Sequence, residues 1–189
     1  MKYKVNEIFR SVQAEGRNSG TPCVFVRFAG CNLACPFCDT DHDPFTEMSA
    51  EEIDRRIDEL ASGDPDLLVV FTGGEPCLQL KESEVIGGTR PKAIETNGTL
   101  PVPKWIGWVT VSPKSELPLE SYRGASEVKV LMGQLSEEYL AKLEETHAAL
   151  YVQPLERAGK MNVRECLDFL KRRPRWKLSV QWHKLTGVR

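Results

Sequence analysis

Residues 67 to 76 of the chain read Leu-Leu-Val-Val-Phe-Thr-Gly-Gly-Glu-Pro. The run from Leu67 to Thr72 is almost continuously apolar, as expected for a strand that is covered on both faces in a parallel sheet. Just upstream, a capping box at Ser49 and Glu52 begins a helical pattern that ends at Gly63. A helix followed by a buried strand is the repeating unit of an α/β fold.

The same alternation continues outward in both directions. Strands are predicted at 22–29, 92–96, 107–112, 126–131, 149–154 and 176–181, and further helices at 136–147 and about 161–173. The connection between residues 96 and 107 looks too short to hold a helix. We therefore predict an α/β fold, specifically a partial, pared-down (β/α) barrel with about six parallel strands. The chain is expected to form one domain over residues 1–189.

Polar residues that end the strands of such a sheet gather at its carboxyl edge. This edge is where α/β proteins bind their ligands, so the functional site is expected there. The candidates at the predicted strand ends are Cys31, Thr72, Glu95, Ser112, Lys129 and Gln153.

The composition is that of a globular protein, with 41% hydrophobic residues, 28% charged residues and a formal net charge of -2. Because there is no basic excess, nucleic acid is not expected as a direct partner. The opening residues lack the apolar core of a secretory signal, and no apolar stretch is long enough to span a bilayer. No membrane partner is therefore expected, and the predicted location is cytoplasmic.

Three of the six cysteines crowd together as Cys31, Cys35 and Cys38. In a reducing compartment such crowding indicates metal or redox chemistry rather than disulfides. Three thiolates on one short loop can hold a 4Fe-4S cluster and leave its fourth iron open to a small-molecule ligand. A zinc site is the alternative, because His42 offers a fourth ligand for a Cys3His arrangement.

The cysteine spacing and the glycine motif together resemble the radical S-adenosylmethionine (SAM) superfamily. Its signature is a C-x3-C-x2-C loop after the first barrel strand, with an aromatic residue before the last cysteine, and Phe37 occupies that position. A second feature is a Gly-Gly-Glu-Pro segment after the second strand, which residues 73–76 supply. The resemblance implies that the open iron chelates SAM, while the Gly-Gly backbone and Glu75 receive its amino group.

Segments along the whole chain further resemble the 7-carboxy-7-deazaguanine synthase family. These are residues 6–16, Cys38-Asp39-Thr40, 72–76, 95–98, 112–114, 153–156 and 179–189. The resemblance implies a radical ring contraction of 6-carboxy-5,6,7,8-tetrahydropterin to 7-carboxy-7-deazaguanine with loss of ammonia. It also implies a lyase of queuosine and 7-deazapurine biosynthesis in which SAM is a regenerated cofactor and Mg²⁺ assists.

The family's functional residues carry over position by position. The cluster ligands would be Cys31, Cys35 and Cys38, and the Mg²⁺ ligand would be Thr40. The residues that hold SAM would be Phe37, Cys38, Asp39, Gly74, Glu75, Ser112, Pro113, Lys114, Gln153, Pro154, Leu155 and Glu156. The pterin would be held by Val12, Gln13, Ala14, Arg27, Thr72 and Arg189.

Two of these residues have suitable chemistry in their own right. Arg27 is a cation within an apolar strand, and its guanidinium matches the pterin carboxylate, although a core carboxylate is an alternative partner. Thr40 offers the neutral oxygen that Mg²⁺ accepts when substrate and water complete its shell.

The resemblance further implies a homodimer and an electron-donor protein such as flavodoxin. Two other functions remain open at this level. A glycyl-radical-enzyme activase shares the cysteine loop but acts on a partner protein, and a Cys3His zinc-binding interaction module would use the same thiols structurally.

Overall fold

A mixed sheet forms the body of the protein, whose computed structural model describes residues 1–157 and 159–188. The strands are β1 (Tyr3–Val12), β2 (Pro22–Phe28), β3 (Thr46–Met48), β4 (Leu68–Gly73), β5 (Lys92–Thr96), β6 (Trp108–Val111), β7 (Glu127–Leu131), β8 (Ala149–Gln153), β9 (Glu156–Arg157), β10 (Lys160–Met161) and β11 (Trp176–Leu178). The helices are α1 (Ala50–Ala61), α2 (Glu137–Leu143), α3 (Val163–Arg172) and α4 (Trp182–Thr186).

The main sheet has the order β11-β8-β7-β6-β5-β4-β2-β1-β3, and β9 and β10 pair separately as a small hairpin. The strands from β2 through β11 in this order pair in parallel, whereas β1 and β3 add to the β2 side in antiparallel fashion. The predicted α/β fold with a partial barrel is therefore confirmed. Among the residues that the structure describes, the parallel strands number seven rather than about six.

The connections between parallel strands are reduced, as the short 96–107 segment indicated. Within the described residues that segment contains no helix, and only a 3-10 turn at Pro76–Leu78 lies between β4 and β5. Helix α2 ends at Leu143 rather than at the predicted residue 147. The reason is local, because both the amide and the hydroxyl of Thr146 bond the Leu143 carbonyl, at 3.1 and 2.8 Å, and close a turn there.

Helix α1 forms as its capping box predicts and covers the outer face of the sheet. Ser49 accepts a hydrogen bond from the Glu52 amide at 3.3 Å, and the Glu52 carboxylate accepts one from the Ser49 amide at 2.6 Å. Ile53 and Ile57 are fully buried against the outward residues of β2 and β4. Burial of each such side chain contributes roughly 1.5–3 kcal/mol.

The alternation along β2 decides which side chains face the interior of the partial barrel. Val24, Val26 and Phe28 belong to the outer cluster packed on α1, whereas Cys23 and Phe25 belong to a separate inner cluster. Because side chains alternate along a strand, Arg27 points to the same side as Cys23 and Phe25. Among the described residues, no helix is both long and apolar enough to cross a membrane.

Candidate functional site

A cavity of about 620 Å³ opens at the carboxyl edge of the parallel strands. Most residues that the sequence predicted for the site line this one cavity, although they come from distant parts of the chain. They are Val12, Gln13, Ala14, Arg27, Cys31, Cys35, Phe37, Cys38, Asp39, Thr40, Thr72, Gly74, Ser112, Lys114, Gln153, Leu155 and Glu156. Their convergence follows from the parallel topology, which places the carboxyl ends of the strands side by side.

The cysteine loop, residues 31–40, forms one wall of the cavity and is anchored at its base. The Gly30 amide donates to the His42 carbonyl at 3.0 Å, and the Glu75 amide donates to the Gly30 carbonyl at 3.0 Å. Gly74 is required for this approach, since a Cβ at that position would lie 2.0 Å from the Gly30 oxygen. The glycine motif after β4 and the cysteine loop after β2 therefore form one joined unit.

The three thiols of the loop are free and face the cavity, so they suit a metal cluster there. The pKa of Cys35 is raised by burial, and neighbouring Cys31 and Cys38 raise it further, while the charge of Lys114 lowers it. In the described part of the chain, no three His, Cys, Asp or Glu side chains converge on a single ion position. A 4Fe-4S cluster does not need such convergence because each thiolate binds a different iron.

The side chain of His42 is not gathered with the thiols into a Cys3His set. Its Nδ1 is buried without a hydrogen-bond partner among the described residues, and the carboxylate of Asp43 lies 3.6 Å away. The contribution of His42 to the loop is its backbone carbonyl, which closes the base.

Glu75 lies behind the cavity wall rather than in it. The residue is completely buried, and its carboxylate accepts hydrogen bonds from the Cys77 amide at 2.9 Å, the Thr96 hydroxyl at 2.8 Å and the Asn97 amide at 2.7 Å. Because the carboxylate is fully buried and does not line the cavity, a direct side-chain contact with a ligand in the cavity does not fit this arrangement. Glu75 instead holds the turns after β4 and β5 in place.

Arg27 faces the cavity from β2, as its position in the strand requires. Its Nε donates to the Glu7 carboxylate at 2.9 Å, and its guanidinium carbon lies 6.0 Å from the centre of the Phe9 ring. The ion pair with Glu7 uses Nε, and the Arg27 side chain lines the cavity wall. Both partners considered from the sequence, a protein carboxylate and a ligand carboxylate, are therefore compatible with this geometry.

The opposite side of the cavity is a polar floor, made of the side chains of Gln13, Glu15, Thr72, Glu95 and Lys129. Gln13 Nε2 and Thr72 Oγ1 donate to the two oxygens of Glu95, at 3.1 and 2.9 Å. The Lys129 ammonium pairs with Glu15 and lies 3.8 Å from Glu95.

Charge compensation opposes the effect of burial on two members of the floor, Glu15 and Lys129. Burial by itself would raise the pKa of Glu15, but the Lys129 charge and hydrogen bonds from Lys129 and Gln181 hold that pKa well below its ordinary range. Burial likewise opposes the charge of Lys129, yet the carboxylates of Glu15 and Glu95 raise its pKa. Glu95 and Lys129 were expected at this edge from their strand-end positions. The role of Glu15 was missed, because its partner is more than a hundred residues away in the chain.

The wall next to the cysteine loop is formed by the ends of β6 and β8. Lys114 donates to the Ser112 hydroxyl at 2.9 Å, and burial, followed by the charge of Lys129, lowers the Lys114 pKa. Gln153, Leu155 and Glu156 line the cavity beyond it. The neighbouring prolines Pro113 and Pro154 are buried in the chain turns and are not among the lining residues.

Helix α4 lies across the mouth of the cavity and connects its two sides. The Lys184 ammonium lies 2.6 Å from the Asp39 carboxylate and 3.8 Å from that of Glu156. Gln181 donates to Glu15 at 2.8 Å. The terminal residue Arg189, predicted to contact substrate, lies outside the described residues.

Comparison with known proteins agrees with this geometry. The family model of the Radical SAM superfamily matches residues 25–108, the part that contains the cysteine loop and the glycine motif. A crystal structure of QueE from Escherichia coli is similar with a TM-score of 0.73 at 25% identity, covering 96% of this chain and 94% of that one.

Sequence relatives match over their full length. A 7-carboxy-7-deazaguanine synthase from Bacteroides thetaiotaomicron is 40% identical over 192 residues, and one from Burkholderia multivorans is 37% identical over 210 residues, with complete coverage of both chains in each case. Another from Haemophilus influenzae is 35% identical and covers 98% of this chain and 94% of its own. These matches decide against the activase and the zinc-binding module. The chain belongs to the 7-carboxy-7-deazaguanine synthase family of radical SAM enzymes.

Proposed function

We propose that the protein catalyses the ring contraction of 6-carboxy-5,6,7,8-tetrahydropterin to 7-carboxy-7-deazaguanine, with release of ammonia, as a step of queuosine and 7-deazapurine biosynthesis. The observation that carries this proposal is the single cavity into which the cysteine loop, Arg27, Thr72 and Gln13 all project. The overall reaction removes one ammonia and is redox neutral, which is consistent with SAM acting as a regenerated cofactor.

The cofactor half of the cavity would be held by the cysteine loop and the wall beside it. Membership of the radical SAM family implies a 4Fe-4S cluster and SAM, which together supply the hydrogen-abstracting radical when they are bound and reduced. Cys31, Cys35 and Cys38 would hold the cluster. The SAM-contacting set would be Phe37, Cys38, Asp39, Gly74, Ser112, Lys114, Gln153, Leu155 and Glu156, with Glu75, Pro113 and Pro154 supporting it from behind.

The substrate half would be held by β1, β2 and the polar floor. The guanidinium of Arg27, whose Nε is paired with Glu7, would bind the pterin carboxylate through its other N–H groups. Val12 to Ala14 and Thr72 would contact the ring, and the Glu95 carboxylate offers acceptors for its N–H groups. Arg189 would close over the substrate.

Several finer features belong to the same proposal. Thr40 lines the cavity next to Cys38, where its oxygen would be one ligand of a Mg²⁺ ion that substrate and water complete. The catalytic unit would be a single radical SAM core domain over residues 1–189, working as a homodimer and reduced by a protein such as flavodoxin. A cytoplasmic location would keep the thiols of the cysteine loop reduced.

Anaerobic reconstitution tests the proposal directly. The purified protein should bind iron, turn brown, and convert the carboxytetrahydropterin to 7-carboxy-7-deazaguanine and ammonia when SAM and a reductant are present. Omission of Mg²⁺ should slow turnover and leave the iron content unchanged. Iron-loaded protein that cleaves SAM and never forms the deazapurine would contradict the proposed substrate.

A further inference from the structure

The loop between β1 and β2 carries the segment that is proposed to contact the pterin. It is closed at its base by two backbone bonds of Gln13, one from its amide to the Thr21 carbonyl and one from the Gly20 amide to its carbonyl, both at 2.8 Å. These bonds fix the base of the loop. They do not determine how Gln13 and Ala14 are positioned relative to the rest of the sheet.

Three consecutive residues of the loop are bonded to side chains on β7 or directly after β11, strands that are separated from β1 and β2 in the sheet order. Glu15 pairs with Lys129, the Gly16 amide donates to the Ser179 hydroxyl at 3.0 Å, and the Arg17 amide donates to the Glu127 carboxylate at 2.9 Å. Backbone amides are satisfied here by side chains, so the loop position depends on those side chains.

The two acceptors are buried and lie outside the cavity wall. Ser179 and Glu127 are each 2% exposed, and neither lines the cavity. The second oxygen of Glu127 accepts from the Thr110 hydroxyl at 2.9 Å, which orients the carboxylate. Gly16 adopts a φ of +64°, and a Cβ there would lie 2.2 Å from a Glu127 oxygen, so the loop fits closely around this carboxylate.

Ser179 also reaches the cofactor half of the site. While its oxygen accepts from Gly16, its hydroxyl hydrogen is donated to Gln153 Oε1 at 2.8 Å. Gln153 is 4% exposed and begins the segment proposed to hold SAM. One buried hydroxyl therefore connects the loop that bears the substrate contacts to the segment that bears cofactor contacts.

We propose that Glu127 and Ser179 are positioning residues that set the β1–β2 loop against the cavity, and that Ser179 couples this loop to Gln153. The proposal rests on the proposed function for its substrate and cofactor assignments. Loss of Glu127 should displace the loop alone, whereas loss of the Ser179 hydroxyl should disturb both halves of the site.

The first readout does not depend on activity. Hydrogen–deuterium exchange of the peptide over residues 13–20 in the anaerobically purified protein should be roughly tenfold faster in Ser179→Ala and in Glu127→Ala, because each change removes an acceptor of a loop amide. Ser126→Ala is a matched control. Ser126 likewise accepts a backbone amide, from Val109 at 3.0 Å, and it directly precedes Glu127 in the chain. Its partner lies on β6 rather than in the β1–β2 loop, and Ser126 does not line the cavity.

The second readout separates the two halves of the site. Glu127→Ala should raise KM for the pterin by roughly tenfold and leave KM for SAM unchanged, whereas Ser179→Ala should raise both and increase the 5'-deoxyadenosine released per product. Glu127→Gln should restore the pterin KM, since the amide oxygen still accepts from Arg17 and the amide nitrogen can donate to Thr110. Gly16→Ala, a change in the loop that spares the sheet, should reproduce the Glu127→Ala result if that variant does not fold.

The positioning role would be overturned if Ser179→Ala, Glu127→Ala and Gly16→Ala all had the same loop exchange and the same KM values as Ser126→Ala. A wild-type protein that forms no deazapurine would instead overturn the proposed function, and loop exchange would still decide the positioning role.

Discussion

The cysteine loop and the polar floor face each other across one cavity, yet they are built in opposite ways. Residues 29–45, which include the cysteine loop, contain no helix or strand, and Cys38 is exposed. The floor consists of side chains on or beside regular strands, with Lys129 and Gln13 buried and every member bonded to another. The comparison indicates that the fold organises the polar floor in advance, whereas the thiols lie on an irregular loop that a bound cluster would organise.

The largest effect is expected in the cysteine loop. Changing Cys31, Cys35 or Cys38 singly to Ala should abolish bound iron and turnover together, because no spare thiol lies in the same loop. Iron content and the characteristic absorption of the anaerobically reconstituted variants measure this outcome.

Three other cysteines provide the matched controls. Cys23, Cys77 and Cys166 lie in the packed interior or behind the cavity wall, and burial raises their thiol pKa values, for Cys166 to about 11. Their Ala variants should keep iron near the wild-type content. Retention of the cluster in Cys35→Ala together with its loss in Cys166→Ala would refute the assignment of ligands.

A substitution in the polar floor should lower the stability of the protein and leave its metal content unchanged. Lys129→Met leaves the Glu15 carboxylate, whose side chain is only 13% exposed, without its cation, and removing one partner of a buried pair typically costs about 3–5 kcal/mol in the free energy of unfolding. Urea unfolding of the variant measures this loss.

Lys142→Met is the control for that change. Lys142 pairs with Glu138 on the exposed surface of α2 at 3.0 Å, so its loss should cost about 0–1 kcal/mol. Equal losses for the two lysines would mean that the floor is not the preorganised element described above.

Substitution of Arg27 tests whether the two sides of the cavity bind different ligands. Arg27→Met should weaken pterin binding by roughly 30-fold or more, since loss of a buried charge-assisted pair costs about 2 to 5 kcal/mol. Cluster assembly and slow uncoupled cleavage of SAM should survive, because Met preserves most of the side-chain volume.

Arg10→Met serves as the control for Arg27. Arg10 also lies on the β1–β2 ribbon, but it bonds the Leu60 carbonyl at 3.2 Å and does not line the cavity. Unchanged apparent pterin affinity in Arg27→Met would make Arg27 a structural partner of Glu7 only.

The smallest effect is expected at His42. His42→Ala should retain iron and SAM cleavage, because the loop uses the His42 carbonyl, which alanine also provides. Metal analysis of the variant distinguishes the alternatives, since loss of all metal would support a Cys3His zinc site.

The sequence was sufficient to predict the parallel core of the fold. It was also sufficient to predict that the site residues meet at the carboxyl edge of the sheet. The predicted strands correspond to the parallel strands β2, β4, β5, β6, β7, β8 and β11, and the reduced crossovers follow from short connections such as 96–107. The short strands β3, β9 and β10 were not predicted, since none of them carries an apolar run. Strand β1 was not predicted. Its residues alternate weakly, and it is specified by pairing with β2 rather than by its own pattern.

The missed details of the site are those that depend on distant contacts. Motif position suggested a ligand contact for Glu75, but the amides and hydroxyl that enclose its carboxylate come from other turns of the chain. The pairing of Glu15 with Lys129 likewise joins the β1–β2 loop to β7, two segments that are far apart in the sequence. Spacing in the sequence can identify a loop of ligands, whereas a buried charge network becomes visible only when the topology is known.

Transfer of deuterium tests most directly the central claim that cofactor and substrate meet in this cavity. Pterin substrate deuterated on its reduced ring is supplied anaerobically to the reconstituted enzyme with SAM and a reductant, and the recovered SAM is analysed by mass spectrometry. The account predicts that deuterium from the substrate appears in the recovered SAM while 7-carboxy-7-deazaguanine forms. Formation of the product with no deuterium in the recovered SAM would contradict it.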